Sequence, residues 1–230
     1  MGSVDWLTFD CYGTLIDWEG GVADALAPFL GPQAPSPRQS LAARYIDVEA
    51  QVEHEAYRPY RDVLAIAGAR LMREIGHPLP PGRERALADS LPNWRSFPEV
   101  PGALRRLRDA GYRLAILSNV DRDLIAASVP RLGVTPDLIV TAEDSRSYKP
   151  AHGHWTIFQT RTGARPERTI HVAASLYHDI MPASALGYRT IYINRHGAPV
   201  VGSAPTRVLG DLTRLPETVE ETASAAPPRR

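Results

Sequence analysis

Apolar runs of strand length alternate with helical stretches over much of this chain. Val4 to Phe9 is the first such run, and it delivers Asp10 to its end just before a tight Gly13-Thr14 turn. From Val100 onward the alternation is regular. Pro101 to Ala110 has helical spacing, Tyr112 to Leu117 is an apolar strand, and Arg122 to Arg131 is helical again. Leu138 to Val140 makes a short strand, Ala151 to Thr162 a helix, Thr169 to Ala173 a strand, Asp179 to Leu186 a helix and Arg189 to Ile193 a strand. Repeated βα units of this kind predict an α/β fold with a doubly wound parallel sheet and helices on both faces.

Between the first strand and this series the pattern is helical only. Ala23, Leu26, Ala27 and Leu30 recur at helical spacing before Gly31-Pro32. Leu41, Tyr45, Val48 and Val52 form one face of a helix from Arg38 to His54, and Tyr60 to Ile75 and Gly82 to Leu91 read likewise. The expected organisation is a Rossmann-like core of residues 1–16 and 95–230, with a helical cap of residues 17–94 inserted after the first strand. Near the C-terminus Asp211 to Glu221 reads as a short helix, and the small, Pro-rich and basic Ala223 to Arg230 is expected to be disordered.

Lys+Arg and Asp+Glu both number 26, for a net charge of +0, so no global field draws the chain to nucleic acid or an anionic membrane. The expected partner is a small-molecule carboxylate substrate; a homodimer is allowed. A single cysteine, Cys11, excludes an internal disulfide and suits a reducing, cytoplasmic setting, and the expectation for its thiol is burial and inertness. No apolar run reaches the roughly 18 residues of a membrane span, and the N-terminus lacks a signal-peptide pattern.

The predicted strand ends gather polar groups at one sheet edge: Asp10, Ser118-Asn119, Tyr148-Lys149, and Ser175 to Asp179. In a doubly wound sheet these ends share one crevice, where ligands bind. A carboxylate there can act as a nucleophile that forms a hydrolysable ester, and Lys149 is suited to hold it ionised. Ser118 and Asn119 are open to two readings, an anion site or strand-end capping. For Asp179 both a hold on Lys149 and a helix N-cap are open. His178 is a candidate base near neutral pH, while His152 and His154 are read as a helix start.

These segments resemble the four motifs of the haloacid dehalogenase-like hydrolase superfamily: Asp10-x-Tyr12-Gly13-Thr14, Ser118-Asn119, Lys149-Pro150 and the acidic segment ending at Asp179. In the phosphatase branch a second Asp stands where this chain has Tyr12, and a magnesium-binding Asp stands where it has Ala174. The chain is therefore closer to the 2-haloacid dehalogenase branch, which needs no metal or other cofactor. The resemblance implies Asp10, Thr14, Ser118, Lys149, Ser175 and Asp179 as catalytic residues, with Tyr12, Arg44, Asn119 and Trp155 binding substrate. It implies cleavage of a carbon–halogen bond in a small 2-haloalkanoic acid through an Asp10 ester. Halide leaves as an anion, so no acid is needed at position 12. The fourth motif departs from the dehalogenase pattern Ser-Ser-Asn-Ala-Trp-Asp, reading Ala174-Ser175-Leu176-Tyr177-His178-Asp179, and Trp155 stands where dehalogenases often have a tyrosine. Ring opening of the azetidine-2-carboxylate type, a phosphatase and a non-catalytic binding protein are the alternatives.

Overall fold

In a computed structural model describing residues 4–31, 38–202 and 204–224, six parallel strands form one sheet in the order β3-β2-β1-β4-β5-β6. They are β1 (Trp6–Phe9), β2 (Arg113–Ser118), β3 (Leu138–Thr141), β4 (Thr169–Ala173), β5 (Arg189–Ile193) and β6 (Arg207–Leu209). Chain direction through the sheet reverses at β1, which lies between β2 and β4 with Phe9 level with Ile116 and Val172. Asp10 therefore emerges at the topological switch point, where this class of sheet leaves a crevice.

Strand alternation sorts the core into two layers. Leu7 and Phe9 of β1, Leu114 and Ile116 of β2, and Ile170 and Val172 of β4 face one side. There they meet α5 (Val100–Asp109) and α10 (Leu215–Ser224). Trp6, Ala115 and Leu117 face the other, against Trp155 and Phe158 of α8 (Gly153–Thr162) and Ala183 of α9 (Met181–Ala185). Of the remaining core helices, α6 (Arg122–Ser128) follows β2 and the short α7 (Ala142–Ser145) follows β3. A single π-helical turn, Leu176–Ile180, precedes α9 and takes the first part of the helix expected from Asp179.

Among the described residues, four helices lie in the chain between β1 and α5: α1 (Trp18–Leu26), α2 (Arg38–Glu55), α3 (Tyr60–Glu74) and α4 (Ala86–Ser90). The expected α2 face is buried, Leu41, Tyr45, Val48 and Val52 all being at most 7% exposed. We propose that residues 17–94 cap the carboxyl edge of the sheet. Asp121 of the core accepts hydrogen bonds from the backbone N–H groups of Tyr60 (2.8 Å) and Arg61 (3.0 Å) at the start of α3, and the Tyr148 hydroxyl donates to the Arg58 carbonyl (2.7 Å). Asp121 thereby supplies the carboxylate that an α-helix N-terminus favours.

Two elements differ from expectation. The edge strand β6 is not apparent from the sequence, because it is three residues long and Arg207 and Val208 are exposed. The helix expected from Gly82 forms only over α4, followed by a 3-10 turn at Leu91–Asn93. Near the C-terminus Ala223 and Ser224 belong to α10, and residues 225–230 lie outside the described residues, as does the Pro-rich spot at 32–37. No helix among the described residues is long and apolar enough to cross a membrane.

Candidate active site

Asp10 ends β1 with its backbone N–H bonded to the Val172 carbonyl (3.1 Å), which fixes where its carboxylate starts. The chain then turns sharply. Gly13 has φ +95°, its N–H donates to the Ile16 carbonyl (2.7 Å), and a Cβ there would lie 3.0 Å from the Trp18 indole nitrogen. Glycine meets both demands. The turn folds Thr14 back so that its hydroxyl donates to Asp10 Oδ2 (2.8 Å) and accepts from the Ala174 N–H (2.9 Å).

The other Asp10 oxygen belongs to Lys149. Its Nζ donates to Asp10 Oδ1 (2.9 Å), Asp179 Oδ1 (2.6 Å) and the Leu117 carbonyl (2.9 Å), which uses all three ammonium protons. The lysine is 2% exposed. Asn119 positions it by a two-way bond to its backbone: Lys149 N–H donates to Asn119 Oδ1 (2.7 Å), and Asn119 Nδ2 donates to the Lys149 carbonyl (3.1 Å). Asn119 is thus a clamp on the lysine loop as well as part of the cavity wall.

Two carboxylates share one ammonium unequally. Asp179 has the shorter contact and a second partner, His171 Nε2 at 3.1 Å, and the Lys149 charge together with these bonds holds its carboxyl well below the usual range despite burial. Asp10 is pushed upward by burial first, with the Asp179 charge adding and the Lys149 charge and bonds opposing. The same two carboxylates hold the Lys149 ammonium protonated, its pKa raised against the effect of burial. Asp10 is the more basic carboxylate of the pair, hence the better nucleophile once ionised.

A cavity of about 500 Å³ opens beside Asp10. Tyr12, Ser118, Asn119, Lys149, Ser175 and Asp179 line it too, so the structure brings nearly all the residues expected from sequence to one place, with Thr14 directly behind Asp10. The Tyr12 hydroxyl is hydrogen bonded to Ser128 (3.1 Å) and its ring stands edge-on to Trp94. Burial pushes that phenol up, so it stays neutral. Ser175 accepts from the His178 N–H (3.0 Å), and its hydroxyl lies 3.1 Å from His178 Nδ1. Burial lowers the His178 imidazole, which leaves it neutral and facing the cavity. Cys11 is fully buried and its thiol is pushed well up, as an inert cysteine should be.

Two expected substrate contacts are not brought there. Arg44 is exposed and outside the cavity wall. The turn of α2 that buries Tyr45 directs Ile46, Glu49 and Glu53 to the cavity and leaves Arg44 on the solvent side. Trp155 is fully buried against the far face of the sheet, its ring 5.5 Å from that of His171, because α8 packs residues 155 and 158 onto that layer. It supports His171 rather than a ligand.

Some functional residues have only a faint signal in the sequence. His171 interrupts the apolar run Ile170 to Ala173, and it bridges Thr8 (2.8 Å) and Asp179 (3.1 Å). His154 is buried and bonded to the Ser118 carbonyl (3.1 Å), the Ser118-bearing loop being fixed through it. Glu49 and Glu53 stand four apart on α2, a spacing that puts them on one helix face. Which face that is depends on how α2 docks.

A profile described as hydrolase, haloacid dehalogenase-like hydrolase, matches residues 4–187. The chain belongs to the haloacid dehalogenase-like hydrolases. Within this family it is 28% identical over 206 residues to haloacetate dehalogenase H-2 of Moraxella sp. (strain B), covering 86% of this chain and 88% of that one. It is 25% identical to the (S)-2-haloacid dehalogenase of Pseudomonas sp. (strain YL), over 98% and 99% of the two chains. The crystal structure of the L-2-haloacid dehalogenase RSc1362 superposes with a TM-score of 0.84 at 25% identity, over 95% of this chain and all of that one. The site thus sits on a haloacid dehalogenase-like hydrolase fold, and the chain is a hydrolase of this kind.

Proposed function

We propose that this protein hydrolyses a carbon–halogen bond in a small 2-haloalkanoic acid through an ester on Asp10, without a metal ion. The observation that carries this is the Asp10 carboxylate itself: one hydrogen bond on each oxygen, an ammonium at 2.9 Å, and an open cavity in front.

In the first step an Asp10 oxygen attacks the carbon that bears halogen. A C–O bond forms as the carbon–halogen bond breaks, and halide departs with the bonding electrons. In the second step water adds to the Asp10 carbonyl carbon, the bond from that carbon to the ester oxygen breaks, and a 2-hydroxyacid leaves with the oxygen Asp10 supplied. A proton is released overall. His178 is the base we assign to the water, since it is neutral and lines the cavity. Asp179 keeps Lys149 in place.

Independence from metal is supported by the side chains present. Phosphoryl transfer in this family would call on an acid at position 12, where Tyr12 is neutral and tied to Ser128. The carboxylate that would hold magnesium in the phosphatase branch has no counterpart here, Ala174 standing at that position on the cavity wall. The Moraxella and Pseudomonas relatives are a haloacetate and a haloacid dehalogenase, which supports a halogenated substrate. The test is halide release from racemic 2-chloropropionate with the chelator EDTA present. Release by the wild type and none by Asp10→Asn supports the proposal; release that EDTA abolishes, or magnesium-dependent turnover of p-nitrophenyl phosphate alone, defeats it.

A further inference from the structure

Opposite the sheet edge, the cavity wall is acidic. Asp17, Glu19, Glu49 and Glu53 line it together with Asp10 and Asp179, against the two permanently charged basic side chains Lys149 and Arg195. Both of these are already engaged. Lys149 has no proton left to donate. Arg195 donates to the carbonyls of Gly13 (3.2 Å) and Thr14 (2.8 Å), pairs with Glu99 (2.8 Å) and stacks on Phe97. His196 pairs with Glu19 (2.8 Å), and Asp17 accepts from the Gly20 N–H (2.9 Å) as the cap of α1.

The two carboxyl groups of α2 differ in what they hold. Glu49 accepts from the hydroxyls of Tyr45 (3.1 Å) and Tyr60 (2.6 Å), both on its Oε1. Glu53 is half-buried on the cavity wall and has no hydrogen bond or ion pair among the described residues. Elsewhere in the same cavity Ser118, 1% exposed, has a hydroxyl that likewise makes no hydrogen bond among the described residues. Two groups without a protein partner among the described residues are thus presented to one ligand: Ser118 can donate to a carboxylate, and Glu53, once ionised, is matched by a donor, best a charged one.

We infer that the substrate of this site is zwitterionic, a small halogenated acid that also carries an ammonium group, which Glu53 receives with Glu49 beside it. This rests on the reading of Asp10 as the nucleophile and narrows its substrate class. An unadorned 2-haloalkanoate would bring a negative charge to a cavity whose two basic side chains are already paired, and would leave Glu53 without a cation. Burial and the Glu49 charge push the Glu53 carboxyl up to about 9 in the free protein, the behaviour of an acid that lacks its cation.

The matched pair 2-chlorobutyrate and 4-amino-2-chlorobutyrate differs in the ammonium alone. The wild type is expected to favour the amino compound by tenfold or more in kcat/KM for halide release, above the enzyme-free rate, with Glu53→Gln bringing the ratio to about one. Calorimetric binding of 4-aminobutyrate against butyrate, which have no leaving group, reads the same preference without turnover. Halide release from both with equal kcat/KM, or preference for 2-chlorobutyrate, overturns the zwitterion and leaves the Asp10 chemistry standing. No halide release from either defeats the chemistry instead; the zwitterion then stands or falls on whether 4-aminobutyrate binds at least tenfold more tightly than butyrate and loses that advantage in Glu53→Gln.

Discussion

The Lys149 ammonium donates to Oδ1 of Asp10 across 2.9 Å, and the two side chains come from positions 139 residues apart in the chain. The pair exists because β1 and the loop between α7 and α8 meet at the same sheet edge. It is buried, so removing one member leaves an uncompensated charge.

Lys149→Ala should therefore cost about 3–5 kcal/mol of stability and lower kcat by a factor of about 10³. Thermal melting and halide release measure the two effects. Lys149→Arg should restore much of the stability and little of the rate, because a planar guanidinium cannot reproduce three tetrahedral donors.

His178→Asn should spare the first step and slow the second. Rapid-quench kinetics would show a burst of halide of about one equivalent followed by turnover reduced on the order of 10²-fold. Loss of the burst itself would place His178 in carbon–halogen cleavage instead of ester hydrolysis.

Acid should switch the enzyme off early. Attack needs ionised Asp10, and burial raises its pKa above the ordinary carboxylate value. As pH falls, kcat/KM should drop tenfold per unit, with a midpoint above the roughly 3.9 of a free aspartate. A profile flat to pH 4 would contradict the upward direction.

His154 should make the fold acid-sensitive in a defined window. Its imidazole is depressed to about 4, chiefly by burial, from an ordinary value of 6.5. The unfolded chain then binds the extra proton between these values, so stability is full above pH 6.5 and is lost as pH falls toward 4, by about 3 kcal/mol at most. His154→Gln retains a donor for the Ser118 carbonyl and should flatten the change in Tm across this window.

Arg44→Ala should leave kcat/KM within about twofold of wild type, since the side chain is solvent-exposed on α2. A loss of an order of magnitude would show that α2 turns in the working enzyme.

Much of this arrangement is legible in the chain. Strand runs ending in Asp10, Ser118 and Ala173 set the sheet edge, and the repeated βα order makes those strands parallel, so that their ends converge. The apolar face Leu41, Tyr45, Val48 and Val52 fixes which side of α2 is buried. It does not fix which flank of that stripe looks onto the cavity, and that choice separates Glu49 and Glu53 from Arg44. Trp155 fails as a ligand residue for a similar reason: a large apolar side chain two residues into a helix suits a core layer and a pocket equally, and only the docking of α8 decides. His171 is a polar residue among the apolar Ile170, Val172 and Ala173 as far as the sequence goes, and only the fold sets Thr8 and Asp179 on either side of its ring. β6 carries almost no signal because a three-residue exposed edge has little to bury.

The central claim is the covalent ester on Asp10, and mass spectrometry of the intact protein during turnover tests it most directly. His178→Asn held with excess 2-chlorobutyrate and, separately, 4-amino-2-chlorobutyrate should accumulate protein heavier by the dehalogenated acid, with the added mass on the peptide that contains Asp10. Halide release without any adduct, or an Asp10→Asn variant that turns over at the wild-type rate, would contradict it.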